Sequence, residues 1–266
     1  MPFIPLQDDT PRILIARPFI TWGIIAACIL VFIWQAGAPP QAAQAIAYSF
    51  GLVPSVLLGA RELAPDLAVL PAWATLVTSM FLHGGFMHLA GNMLFLWVFG
   101  DNIEDAMGHV KFVAFYLICG AAAALAHVMI APGSTTPMIG ASGAISGVLG
   151  AYLILHPKAW VTILLFWIPL RFPAWLLLIG WIGFQLFAAL GSGPSGGGVA
   201  WWAHIGGFAA GAALIASFRH KSIPLFGGGE QPKGIRIKRP PRKEAAQPTG
   251  GKTSAKPKNK RPGPWG

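Results

Sequence analysis

Residues 140–156 read GASGAISGVLGAYLILH, an apolar run with no Asp, Glu, Lys or Arg in it. Gly143, Gly147 and Ala151 recur at four-residue spacing, so in a helix they share one face and let another backbone approach closely. A matching run lies at 200–218, AWWAHIGGFAAGAALIASF, where Ala203, Gly207 and Gly211 repeat the spacing. Each run carries one residue of chemical interest near its start, Ser142 in the first and His204 in the second. Two apolar helices that meet through small residues, and bring a serine and a histidine with them, set the frame for the rest of the chain.

The composition agrees. The chain of 266 residues is 55% hydrophobic and 11% charged, with mean hydropathy +0.60. Soluble domains carry about 25% charged residues. Runs approaching the roughly 20 residues needed to cross a bilayer recur, and six spans are predicted: 18–36, 86–104, 111–131, 140–156, 172–190 and 200–218. The expected fold is an all-α, polytopic membrane protein, a six-transmembrane-helix bundle over 18–218. An N-terminal segment, 1–17, precedes it and a basic tail, 219–266, follows it. The connection 37–85 is too apolar for a simple exposed loop and is expected to lie on or dip into the interface. Trp160 to Leu170 is apolar but too short to span, and Pro169 and Arg171 close it, so it is expected to be a β-prone interfacial segment. The run from 18 has no small-residue processing site after it and reads as an uncleaved span.

Charge gives the sidedness. Arg12, Arg17, Lys111, Lys158, Arg171 and the tail fall on one side of the six spans, and only Arg61 on the other. The positive-inside rule then places both termini in the cytoplasm, as expected for a bacterial inner membrane. Thirteen of the nineteen Lys and Arg residues lie between Arg219 and Arg261. With little apolar periodicity there, the tail is expected to be disordered and drawn to anionic lipid headgroups, not to nucleic acid. Cys28 and Cys119 both sit in apolar runs and suggest buried packing rather than a disulfide framework. His109, His156 and His220 flank spans and are expected to be solvated.

With six spans, the second, fourth and sixth run in the same direction, and His88, Ser142 and His204 fall near the start of each. At 1.5 Å per residue these three lie at similar depth. Ionisable residues within spans are rare and usually functional. The nine acidic residues are at 8, 9, 62, 66, 101, 104, 105, 230 and 244, none of them in the last three spans. The pattern therefore points to a Ser–His dyad without a carboxylate: Ser142 as nucleophile, His204 as general base. His88 and Asn92, at i and i+4 on one helix face, are candidate oxyanion donors alongside the Ser142 backbone N–H. Gly143, Gly147, Gly207 and Gly211 are expected to bring the two helices together. The serine is not in a G-x-S-x-G turn and there is no H-E-x-x-H, which argues against a soluble hydrolase elbow and a zinc peptidase. No metal or cofactor is expected.

On Gly140-Ala141-Ser142-Gly143, Ala203-His204-Ile205-Gly206-Gly207 and the stretch from Phe81 to Asn92, FLHGGFMHLAGN, the chain resembles the bacterial rhomboid intramembrane serine proteases. The resemblance covers about residues 15–218. It implies a six-helix bundle with a cavity open to the outer side and a long first loop lying partly in the membrane. It implies Ser142 as nucleophile, His204 as base, and His88 with Asn92 at the oxyanion. Its implied substrates are membrane proteins cut near the outer end of a transmembrane helix. Many relatives carry an aromatic residue one turn after the serine, packed on the base; here that residue is Ser146, which leaves Trp201 and Trp202 as candidates to orient His204. A catalytically inactive relative that binds and escorts membrane helices is the competing function, and the retention of both Ser142 and His204 argues against it. A small transporter has no charged relay in its favour.

Overall fold

In a computed structural model of the protein, residues 4–192 and 200–227 are described. The apolar runs form helices close to the expected limits: α1 (Phe19–Ala36), then three short helices α2 (Pro40–Phe50), α3 (Pro54–Leu57) and α4 (Thr75–Thr78), then α5 (Phe86–Met107), α6 (His109–Ile130), α7 (Ser142–Leu155), α8 (Ala174–Ser192) and α9 (Trp201–Phe218). Pro18 precedes the first helix and Gly37 closes it, the positions at which each residue is least costly to a helix. Gly108 alone separates α5 from α6. Its φ of +81° turns the chain sharply, in a region of backbone space that residues with a Cβ seldom occupy.

Four of these helices, α1, α6, α8 over Ala174–Gly191 and α9, are long and apolar enough to cross a membrane. The chain is an integral membrane protein. The helix α5 has the length, at 22 residues, but its run includes His88, Asn92, Asp101 and Asn102. The helix α7 is short, at 14 residues, and its middle, from Ala144 to Tyr152, is buried throughout. It occupies the centre of the bundle, packed against α5, α6, α8 and α9. The connection before α5 holds α2 to α4, and its Leu52, fully buried, pairs with Met138 just ahead of α7. Val69, Trp73 and Val77 in the same connection are exposed, in keeping with an interfacial position.

The short apolar segment after α7 is β, as its length and composition suggest, and it folds as a hairpin: β2 (Trp160–Leu165) pairs antiparallel with β3 (Ile168–Pro173). Phe166 and Trp167 form its tip, both in the left-handed region and both almost fully exposed. The N-terminal segment is not simply a polar lead-in. Ile4–Asp8 forms β1, antiparallel to β2, and completes a three-stranded sheet of order β1-β2-β3.

Behind that sheet the acidic end of α5 clamps the segment that follows β1. Asp105 accepts the backbone N–H groups of Ile13, Leu14 and Ile15, each at 2.7 Å. Glu104, fully buried, accepts from the backbone N–H of Ile20 (3.0 Å) and Thr21 (2.8 Å) and from the Thr21 hydroxyl (2.7 Å). His109 Nδ1 meets the same carboxylate at 2.5 Å. The His109 side chain stays 39% exposed, in keeping with the expectation of solvation, but it is also tied to a fully buried carboxylate that needs donors. His156, by contrast, is not solvated, since its Nδ1 is buried against the bundle without a partner. His220 is exposed, as expected. Tyr152, at the end of α7, donates to Asp8 at 2.5 Å and ties the sheet to the central helix.

After α9 the chain does not leave the bundle at once. His220 N–H donates to the Ala106 carbonyl, Phe226 N–H to that of Ile154, and Ile223 is buried between these helix ends. The apolar side chains Ile223 and Leu225 account for this return to the core. The rest of the expected basic tail, 228–266, lies outside the described residues, as does most of the connection expected at 191–198.

Candidate active site

Small residues decide how the site is assembled. A Cβ placed on Gly207 would collide with the carbonyl oxygen of Gly143, and one on Gly211 with that of Gly147. A Cβ on Gly150 would strike the carbonyl oxygen of Phe208. Thus α7 and α9 lie backbone against backbone along three successive turns, the geometry that side-chain-free faces permit. Gly143 and Gly147 also face a second neighbour: Cβ atoms there would lie 2.6 Å from Ala123 Cβ and 2.5 Å from Cys119 Cβ on α6. All four expected packing glycines therefore lie at helix contacts, and Gly207, with Ala123 Cβ 3.3 Å from its would-be Cβ, joins Gly143 and Gly147 in facing α6 as well.

This contact sets Ser142, the first residue of α7, beside His204 in the first turn of α9. Ser142 Oγ and His204 Nε2 are 2.8 Å apart. The imidazole is 7% exposed. Its second nitrogen, Nδ1, lies 2.8 Å from Oε1 of Gln185 on α8. Two indoles flank the ring: Trp181, also on α8, tilted at 38° with centroids 6.0 Å apart, and Trp201, edge-on at 6.2 Å. Among the described residues no carboxylate reaches His204. Trp201 is one of the two tryptophans expected near the base. Gln185 and Trp181 are additions from α8 that the sequence did not single out.

Ser146 does not take part in this enclosure. Its hydroxyl donates to the carbonyl of Ser142, one turn back in its own helix, at 2.6 Å.

His88 and Asn92 converge from α5. A Cβ on Gly140 would lie 2.8 Å from His88 Cε1 and Nε2 and 3.8 Å from Asn92 Nδ2, so both side chains crowd the backbone just ahead of Ser142. Gly140 has φ +128°, which suits a glycine and leaves that space open. The Gly84 N–H points at His88 Nδ1 at 3.3 Å, which leaves Nε2 as the protonated nitrogen, on the Gly140 side. Asn92 is 3% exposed, and its Nδ2 is buried without a partner. A buried donor with nothing to bind is costly, and this one faces the Ser142 end of α7. His83, from the motif preceding α5, packs its ring on His88 at 5.2 Å, while Gln35 of α1 accepts its backbone N–H.

These features define a class: a membrane-embedded helix bundle in which a serine at one helix start is hydrogen-bonded to a histidine at another. Comparison with known proteins gives the family. The model of the Rhomboid domain matches residues 71–221, and the chain belongs to the rhomboid family. It is 34% identical over 137 residues to Rhomboid protein 1, mitochondrial, of Saccharomyces cerevisiae, covering 50% of this chain and 38% of that protein. It is 40% identical over 98 residues to Rhomboid protease GluP of Bacillus subtilis, 37% of this chain and 18% of that protein. Rhomboid-like protein 11, chloroplastic, of Arabidopsis thaliana is 36% identical over 90 residues, 34% of this chain and 31% of that protein. The matches thus span less than half the length of each of these relatives.

Proposed function

We propose that this protein is an intramembrane serine endopeptidase that cleaves transmembrane segments of other membrane proteins with a Ser142–His204 dyad. The observation that carries the reading is the 2.8 Å approach of His204 Nε2 to Ser142 Oγ across two helices. Ser142 Oγ attacks the scissile carbonyl carbon as its proton passes to Nε2. The carbonyl oxygen becomes an oxyanion, met by the Ser142 backbone N–H, His88 Nε2–H and the unpartnered Asn92 amide. Collapse breaks the C–N bond as the imidazolium returns its proton to the leaving amine. Water then repeats the sequence on the acyl-enzyme.

In this reading the bundle crosses the membrane six times, α5 and α7 included, with both termini cytoplasmic and the dyad toward the outer face of a bacterial inner membrane. Local unwinding is needed before a helical peptide bond can be attacked, so substrate spans with glycine, proline or other weak helix formers near their outer end are favoured. The tail from 228 onward contributes attraction to anionic lipid. Cleavage of a reporter span in liposomes by the wild type, and by no preparation of Ser142→Ala, is the test. Equal cleavage by both would remove the protease reading and leave a helix-binding role.

A further inference from the structure

The environment of His204 goes beyond a dyad. An imidazole serves as a base through Nε2 only if its proton sits on Nδ1, and in a buried site something must hold it there. Among the described residues the group that meets Nδ1 is Oε1 of Gln185, at 2.8 Å. An amide oxygen accepts hydrogen bonds and donates none. With Nδ1–H donated to Gln185, Nε2 is left with its lone pair toward the Ser142 hydroxyl, 2.8 Å away. Gln185 is 4% exposed, so water does not compete for this bond.

The ring plane is held from the same helix. Trp181 precedes Gln185 by four residues, on one face of α8, and is 3% exposed. Its indole lies over His204 and also over Phe208, one turn further along α9, at 6.1 Å. Ser146, the residue of α7 best placed beneath the dyad, has its hydroxyl bonded within its own helix and offers no ring. The structure thus assigns the orientation of the base to α8: we infer that Gln185 is the positioning residue that fixes the Nε2-basic tautomer of His204, with Trp181 fixing the ring plane, in a Ser142–His204–Gln185 relay. This inference rests on the protease reading for its kinetic consequence, but the tautomer itself does not depend on activity. During attack the proton moves from Ser142 Oγ to His204 Nε2, while His204 Nδ1–H stays donated to Gln185 Oε1 throughout. Being neutral, it takes no proton.

The test has two arms. In the first, the 15N resonances of His204 in the wild-type protein, assigned against His204→Ala, are recorded where the imidazole is neutral. Nδ1 is expected to carry the proton and Nε2 to be bare; the reverse pattern overturns the inference, whether or not the protein cleaves anything. In the second, Gln185→Leu, close in volume but without an acceptor, is compared with Gln185→Glu, which keeps an oxygen at the same reach. Gln185→Leu is expected to lower kcat roughly 10- to 100-fold, with KM within about twofold, because only the orientation of the base is lost. Fluorophosphonate labelling of Ser142 should slow in parallel, and Gln185→Glu should stay within about tenfold of wild-type kcat. A wild-type protein that cleaves, beside a Gln185→Leu variant with unchanged kcat or a loss confined to KM, would sink the relay and leave the protease reading intact. Absence of cleavage and labelling in the wild type would sink the protease reading and leave the tautomer measurement standing.

Discussion

The two ends of the bundle treat polar groups in opposite ways. At the end that holds β1 and the C-terminus of α5, two carboxylates are saturated: Asp105 takes three backbone N–H groups and Glu104 takes three donors besides His109. At the Ser142 end there is no charged partner among the described residues, and the buried Nδ2 of Asn92 has no hydrogen-bond partner among them. The first end resembles a folding clamp, in which the buried charges of Glu104 and Asp105 are compensated. The second leaves a donor open beside Ser142, which the proposed mechanism uses to meet charge in a transition state. In the proposed mechanism, stability and chemistry thus fall at different ends of one short central helix, α7, with Tyr152 near one end and Ser142 at the other.

That separation predicts which changes destroy turnover and which destroy the fold. The largest loss is expected from Ser142→Ala and His204→Ala. Each should abolish cleavage to background, as removing either member of a nucleophile–base unit costs on the order of a millionfold in comparable hydrolases, while the melting temperature in detergent changes little. Labelling by a fluorophosphonate should vanish in Ser142→Ala. Next come His88→Ala and Asn92→Ala. Removal of one oxyanion donor typically lowers kcat about 100- to 1000-fold, so the loss should appear in kcat with KM nearly unchanged. For Asn92→Ala the fold should not suffer, because the amide nitrogen it removes is already unpartnered. A loss seen mainly in KM would make these residues substrate contacts instead.

Packing links the two ends and gives the third prediction. Sequence spacing alone suggests that alanine is milder than valine at either Gly147 or Gly207. The structure separates the two. A Cβ on Gly207 would collide with the Gly143 carbonyl oxygen and press α9 directly off α7, whereas one on Gly147 would lie 2.5 Å from Cys119 Cβ on α6 and only 3.2 Å from the Gly207 carbonyl oxygen, so it presses chiefly on α6. Gly207→Ala should therefore part α7 from α9 and reduce cleavage per inserted molecule by about 100-fold, the cost of a displacement near 1 Å at a reacting pair. Gly147→Ala should be closer to wild type, and Gly147→Val worse than Gly147→Ala. Equal activity of Gly207→Ala and wild type would show that this contact does not set the dyad distance.

Much of this was legible in the residues because it depends on local pattern. Apolar runs bounded by Pro, Gly or charge gave helix limits within about three residues, and the β character of 160–170 followed from a run too short to span, though not its pairing as a hairpin. The Ser142–His204 pairing was legible because small residues at four-residue spacing mark a face, and each face carried one reactive group. What escaped notice depends on distant partners. Ile4–Asp8 is five residues of mixed character, and its strand partner begins more than 150 residues away. Gln185 is a single polar residue in an apolar span, and only the rotation of α8 against α9 makes it a partner of His204. The absence of acids near the base could be read directly; that Glu104 and Asp105 instead hold the chain before and into α1 could not.

The smallest effect on turnover is expected at the clamp itself, and it tests the comparison most sharply. In Asp105, Oδ1 accepts from Leu14 and Ile15 and Oδ2 from Ile13. Asp105→Asn replaces one acceptor by an NH₂ group, so in either orientation of the amide a donor faces at least one backbone N–H. Glu104→Gln meets the same conflict, since Oε1 accepts from Ile20 and is 2.5 Å from His109, and Oε2 accepts twice from Thr21. Each orphaned buried donor costs about 1–3 kcal/mol, and Glu104 is fully buried, so Glu104→Gln should lower the melting temperature more than Asp105→Asn. The Arg12–Asp101 pair is partly exposed, at 38% and 21%. Asp101→Asn should cost less than about 1 kcal/mol, as exposed ion pairs do. None of the three carboxylates contacts Ser142 or His204. Cleavage per folded molecule, measured below the melting transition and normalised by active-site titration, should therefore stay within about threefold of wild type in all three variants. A kcat that collapsed in Asp105→Asn while the protein remained folded would mean that the clamp reaches the dyad through α7, and that the two ends are not independent.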